Sequence, residues 1–379
     1  MSALPFVRAA LAAVTLALAA PAGAGASFTV VPSPNAPVGQ SALNGVRASS
    51  ATDAWAVGSS CCATNNFGRA ALTLHWNGSA WSVVPSLDTR FKDELLNAVI
   101  DISPSNAWAV GETKQSGYRS GVPLILHWNG SSWQPVAPPS DTTGKLLAAA
   151  SSSATDLWAV GDDNHGQPLV LHSAGVGWSH VPLPQFGSSI NLRGVRAFSR
   201  TDVWVVGSQG SASTLILHWN GAVWTRVASP NPDPFSNVLH AVGGFGPRDL
   251  WAVGQQARSK TSTGVPPGTR TLAMHWDGSR WTTVATPNVG DEDSLRGVVG
   301  NAGGMTAVGT FQNVTTGTLR TLAERWNGTS WAVRPTPNVG AADNLLRAVS
   351  PIPGSPDVWA VGTHLTAGGP TQTLVLRGS

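Results

Sequence analysis

The stretch "DAWAVGSSCCATNNFGRAALTLHWNGSAWSVVPS", residues 53–86, decides how the chain is read. It begins with an apolar segment closed by glycine, continues through a variable loop, and resumes as an alternating segment ending in His-Trp. An Asn-Gly dipeptide then leads to a tryptophan-headed segment that leaves through proline. Together with "ALNGVRASSAT" immediately before it (residues 42–52), this makes four short runs of β-type residues separated by turn formers.

The same unit recurs along the chain. Its opening leucine is read at Leu43, Leu96, Leu147, Leu192, Leu239, Leu295 and Leu346, at intervals of 45 to 56 residues. That length suits four strands with their turns. The dipeptide in "HWNGSAW" and "HWDGSRW" predicts a two-residue type I′ hairpin turn between the third and fourth strands. Four-stranded antiparallel units repeated about an axis make a β-propeller. The fold class is therefore all-β, a seven-bladed β-propeller of four-stranded antiparallel blades. The seventh unit stops at "TLVLRGS", without a fourth strand, and "SFTVVPSP" (residues 27–34) matches "AWSVVPS", with Phe28 in the place of Trp81. The N-terminal strand is expected to complete the last blade and close the ring.

Residues 1–26 carry one basic residue, Arg8, then an apolar run from Ala9 to Ala20, then Ala-x-Ala patterns. This reads as a secretory signal peptide, with residues 27–379 a single propeller domain. The expected product is secreted, extracellular or periplasmic, and monomeric. Net charge is +3, and only 11% of residues are charged, without a lysine or arginine run. Nucleic-acid binding and membrane insertion are disfavoured.

The 17 tryptophans all fall at three repeat positions, represented by Trp55, Trp76 and Trp81. Strict repetition predicts packing between blades, since a buried aromatic removes roughly 150–250 Å² from water. His75, His127, His172, His218 and His275 share one position, each on a different blade, and Arg325 and Arg377 stand there in the last two. A wide ring that exchanges histidine for arginine is scaffold, so no metal site is read there. Asp53, Asp156, Asp202, Asp249 and Asp357 open the second strands and are expected to bond turn amides.

The register "AWAVG…LHWNGSAWSVVPS…LNGV" resembles Kelch-type and galactose-oxidase-like propellers, and secreted propellers of the broad sialidase-like group. It departs from the Kelch pattern by having one glycine after "WAV". The resemblance implies folds that host lectins, lyases, hydrolases, oxidases and adaptors. A galactose-oxidase copper site would need two tyrosines, and Tyr118 is the one tyrosine here. The sialidase serine-aspartate box is absent as well. No catalytic motif is recognised and no cofactor is expected.

Function is expected on the face where the loops vary, "SSCCATNNFGRAA", "ETKQSGYRSGVP" and "QQARSKTSTGVPPGTR" among them. One repeat position there, just after the opening leucine, reads Asn44, Asn97, Ala148, Arg193, His240, Arg296 and Arg347. Strand one is innermost, so these residues should ring the channel mouth. Converging guanidinium groups suit a carboxylate, sulfate or phosphate. They could equally pair with the loop acids Asp291, Glu292, Asp293 and Asp343. The acidic loops "GDDNHG" and "GDEDS" offer oxygen ligands for calcium, without EF-hand spacing. Tyr118, Phe67, Phe186 and Phe235 are loop aromatics that could stack on a sugar. Cys61 and Cys62, the two cysteines of the chain, are adjacent, lie outside the repeat and read as a vicinal disulfide that would stiffen the loop.

The reading that follows is a ligand-binding propeller for a glycan or another extracellular ligand, anionic by the arginines. The alternatives are a carbohydrate-active enzyme, such as a uronate-directed lyase or hydrolase with His240 or Tyr118 as base, and an extracellular protein-interaction scaffold.

Overall fold

A computed structural model of the chain describes residues 27–36, 39–61, 68–86, 92–115, 121–187, 189–210, 212–258 and 268–379. Residues 1–26, read above as a signal peptide, and Cys62, Phe67 and Tyr118 lie outside them.

Seven four-stranded antiparallel sheets form the blades of a β-propeller. In blade one the strands, from the axis outward, are Gln40–Ser50, Asp53–Cys61, Ala70–Trp76 and Trp81–Val83. The innermost strands of blades two to seven are Lys92–Ser103, Lys145–Ser153, Ile190–Ser199, Asn237–Gly246, Ser294–Asn301 and Asn344–Pro351.

The N-terminal strand closes the ring as the sequence predicts. Thr29–Val30 pairs with the last strand, Thr371–Gly378, in the register Thr29↔Arg377 and Val30↔Leu376. Phe28 is 4% exposed and lies against Gly378, where a Cβ would meet the Phe28 backbone at 2.6 Å. A polar clasp follows. Thr373 N donates to Asn35 Oδ1 at 2.7 Å, and the hydroxyls of Thr373 and Ser33 are 2.8 Å apart. Blades four, five and six use the same clasp with Asn231, Asn288 and Asn338. The chain end thus supplies the part every complete blade supplies for itself.

The tryptophans seal the blades to one another. Trp55 of blade one sits 4.9 Å, ring to ring, from both Trp128 and Trp133 of blade two. Trp359 of blade seven stands similarly to Trp76 and Trp81 of blade one, at 5.0 and 5.3 Å. The seam between blades six and seven differs: Thr306, Gly378 and Phe28 occupy the three tryptophan positions there.

The Asn-Gly hairpins correct one expectation. Trp76 pairs with Trp81, so the connection has four residues, 77–80, and is not a two-residue type I′ turn. Asn77 Oδ1 accepts from Ser79 N and Ala80 N, both at 3.0 Å, and Gly78 alone takes a positive φ of 95°. The asparagine side chain builds the turn, which removes the need for a second left-handed residue.

The aspartates correct another. Asp53 bonds side chains and not turn amides: its Oδ1 accepts from His75 Nε2 at 2.7 Å and its Oδ2 from Ser49 Oγ. Asp156–His172, Asp202–His218 and Asp249–His275 repeat the pair at 2.7 to 2.9 Å. Arg377 Nε donates to Asp357 in blade seven at 3.0 Å. Each of the five histidines also packs on the second-strand tryptophan of its blade, with centroids 4.2 to 4.6 Å apart. The repeated histidines are scaffold.

Candidate functional site

Every innermost strand carries a β-bulge at the same place. The register shifts between Leu43 and Gly45, Leu96 and Ala98, Leu146 and Ala148, and at the matching points of the other four blades. The residue left without a cross-strand partner is the one that lines the channel, as bulges re-aim side chains. The glycine of "WAVG" permits it. A Cβ on Gly58 would lie 1.9 Å from the Ala42 carbonyl oxygen, and the same conflict recurs at the equivalent glycine of all seven blades.

This geometry corrects the register of blade three. Leu146, fully buried, is its opening leucine, so Leu147 and not Ala148 stands in the ring. Two consecutive leucines make the two registers indistinguishable in sequence. The ring therefore reads Asn44, Asn97, Leu147, Arg193, His240, Arg296 and Arg347. Asn44 Nδ2 donates to the Leu96 carbonyl at 2.9 Å, and Asn97 Nδ2 to that of Leu146 at 2.8 Å. Both amides brace neighbouring blades, so blades one to three present a neutral arc.

Blades four, six and seven contribute the cations. The funnel outside the ring has a volume of about 600 Å³, and Gln255, Thr269, Glu292, Ser294 and Thr310 line its wall beside the ring residues. It leans over blades five, six and seven, the last two of which carry Arg296 and Arg347. Among the described residues, Arg193, Arg296 and Arg347 make no ion pair. The loop acids expected to neutralise them are held elsewhere, apart from Glu292 on the funnel wall. Asp291 accepts from Arg258 at 3.1 Å, Asp293 from the backbone of Val289 and Gly290, and Asp343 from Leu319 N. Asp162, the acid acting on Arg193 electrostatically, is engaged by Lys145 at 3.4 Å. The Arg193 Nε is buried without a hydrogen-bond partner.

Water reaches Arg296 and Arg347 through the funnel while protein surrounds them, and that partial desolvation lowers the pKa of both. The charges of Arg193 and Arg347 lower that of Arg296 further. His240 is pushed down to about 3, first by burial and then by Arg296 and Arg193. It is neutral, with Nε2 3.4 Å from Gln255 Oε1. A group with so low a pKa is a weak base. The arrangement is built to hold an anion more than to remove a proton.

The remaining candidates fall outside this centre. Cys61 ends the second strand of blade one, opposite Gln40, and is half-buried; its pairing with Cys62 lies outside the described residues, as does Tyr118. Phe186 packs into the core beside blade four, while Phe235 is 66% exposed. In the acidic loops, Asp163 Oδ1 accepts from the backbone of His165 and Gln167 and Asp293 from its own turn, so both carboxylates shape loops. Sequence reading missed Arg47 and Arg196, which lie deeper in the channel. The signal was present: "LNGVRA" and "LRGVRA" place an arginine three residues after the ring position.

No protein-family model and no curated protein matches the chain. Solved structures do. YCF48 bound to a peptide is 15% identical, over 96% of this chain and 98% of that one, with a TM-score of 0.53. The GH74 xyloglucanase from Xanthomonas campestris is 12% identical, over 92% of this chain and 55% of that one, with a TM-score of 0.55. A chain of the mitotic checkpoint complex is 10% identical, over 96% and 98%, at 0.55. The likeness is one of fold.

Proposed function

We propose that this is an exported, monomeric propeller that binds an acidic glycan at its channel mouth, taking a sugar carboxylate onto Arg193, Arg296 and Arg347. The carrying observation is that these three guanidinium groups converge on one arc of the ring without an ion-pair partner among the described residues. Unpaired, they repel one another, and a bound carboxylate would relieve that repulsion through charge-assisted hydrogen bonds. The hydroxyl and amide groups of the funnel wall match a ligand dense in hydroxyls. Propellers of this fold include a glycoside hydrolase and protein binders, so the fold leaves both ligand classes open. The Kelch-like and sialidase-like affinity rests on the repeat residues alone.

A glycan array probed with residues 27–379 tests the reading. Binding should concentrate on uronate-bearing glycans and fall about tenfold or more in Arg296→Gln and Arg347→Gln, the scale of a lost charged hydrogen bond. Binding confined to neutral glycans would sink it. N-terminal sequencing of the exported protein should begin near Ser27.

A further inference from the structure

Three residues beyond the ring, the channel carries two more cations. Arg47 of blade one and Arg196 of blade four line the bore, a cavity of about 270 Å³ that runs from the ring residues past the level of these two arginines. At the same level the other blades carry Ile100, Ala150, Gly243 and Val299, none of which offers a side-chain hydrogen bond, and Ser350, whose hydroxyl accepts from Ala48 N and donates to the Pro351 carbonyl, both at 3.1 Å. Among the described residues, neither guanidinium makes a hydrogen bond or an ion pair within 4.0 Å. The Nε of Arg196 is buried and unpartnered, and its guanidinium carbon lies over the Phe198 ring at 4.9 Å. Stacking on an aromatic face fixes the plane of the cation and leaves its N–H edges for another partner.

The acid nearest in effect to Arg47 is Asp101, whose Oδ2 accepts from Ser49 N at 3.0 Å. Burial and the neighbouring Asp53 push the Asp101 carboxyl up to about 8. That shift towards the neutral carboxyl weakens its pull on Arg47. The charge of Arg47 acts on Arg196 and, after burial, lowers its pKa further. With protein around them, their field on an incoming anion is stronger than it would be in bulk water.

We propose that the waist formed by Arg47 and Arg196 is a second anion-binding tier, so that the ligand is an elongated molecule with acidic groups on successive units, inserted end-on. This rests on the mouth reading above and names its ligand class: an acidic oligosaccharide, with one carboxylate at the mouth and another roughly 10 Å deeper, the rise of three strand residues. A single acidic sugar reaches the mouth alone.

Two measurements test it. Crystals soaked in selenate should show anomalous density at both tiers, between Arg47 and Arg196 as well as beside Arg296. Calorimetric titration with mono- and tetragalacturonate should show a preference for the tetramer that shrinks about tenfold in Arg196→Gln and in Arg47→Gln. Arg196→Lys, which keeps the charge without the stacked plane, should keep part of it and controls for folding. Selenate at the mouth alone, with the tetramer preference unchanged in both glutamine variants, overturns the waist and leaves the mouth reading standing. Selenate at neither tier overturns both. Selenate at both tiers without uronide binding retains the second tier and overturns the glycan assignment.

Discussion

Arg296 carries the charge balance of the mouth, because Arg193 and Arg347 both act on it and none of the three has a carboxylate partner among the described residues. Replacing it with glutamine should lower affinity for acidic ligands while leaving the ligand-free melting temperature unchanged or higher, since a like charge is removed. A clear loss of stability would mean that Arg296 serves the scaffold. Glu324 is the second residue with a large expected effect. It is fully buried, both carboxyl oxygens lack a hydrogen-bond partner, and the equivalent positions hold Leu74, Leu126, Leu171, Leu217, Met274 and Leu376. Burial, then Asp293, pushes its pKa from 4.5 up to about 8. The folded state therefore keeps a proton that the unfolded chain releases above about pH 4.5. Stability from this site is complete below that value and is lost as pH rises through about 8. Glu324→Leu should stabilise by about 1–3 kcal/mol, the penalty for an orphaned buried polar group, and should flatten the fall in melting temperature between pH 5 and 9. Parallel pH profiles for the two proteins would refute this.

At the scale of elements, the inner-strand bulge is the device that turns a structural repeat into a site. Gly58→Ala would push a methyl group into the Ala42 carbonyl, so a loss of about 1–3 kcal/mol is expected. The equivalent glycines should behave alike, and a neutral effect would mean the bulge tolerates a Cβ. The blade pattern was legible because "WAVG" and "HWNG" repeat with their turns, and the ring position was legible because it follows a leucine. Blade three resisted because Leu146 and Leu147 are adjacent. The hairpins resisted because Asn77 works through its side chain, which the dipeptide alone does not reveal. The waist was overlooked although Arg47 and Arg196 share the segment "GVRA", since channel depth becomes visible only when the blades stand around one axis. Glu324 announces itself as "LAERW" among "LTLHW" and "LILHW". Its burial comes from the neighbouring blade.

For the whole molecule, ring closure and charge placement are linked. The seam between blades six and seven lacks the tryptophan cluster of the other seams, and the buried Thr306 hydroxyl there has no partner. It joins the two blades that carry Arg296 and Arg347. Hydrogen exchange should find this seam opening first, with amides of Thr371–Gly378 less protected than the equivalent strand Ala70–Trp76 of blade one. Uniform protection around the ring would contradict that. An acidic ligand bridging Arg296 and Arg347 should raise protection at the same seam, because binding to the closed state alone stabilises it. The central claim is that the channel recognises charge on a sugar, and one comparison tests it most directly. Tetragalacturonate and its fully methyl-esterified form differ in carboxylate charge while keeping the same sugar chain, so the two are titrated calorimetrically into residues 27–379. Tighter binding of the free acid by tenfold or more, weakening as salt rises, is the predicted result; equal affinity for acid and ester would contradict it.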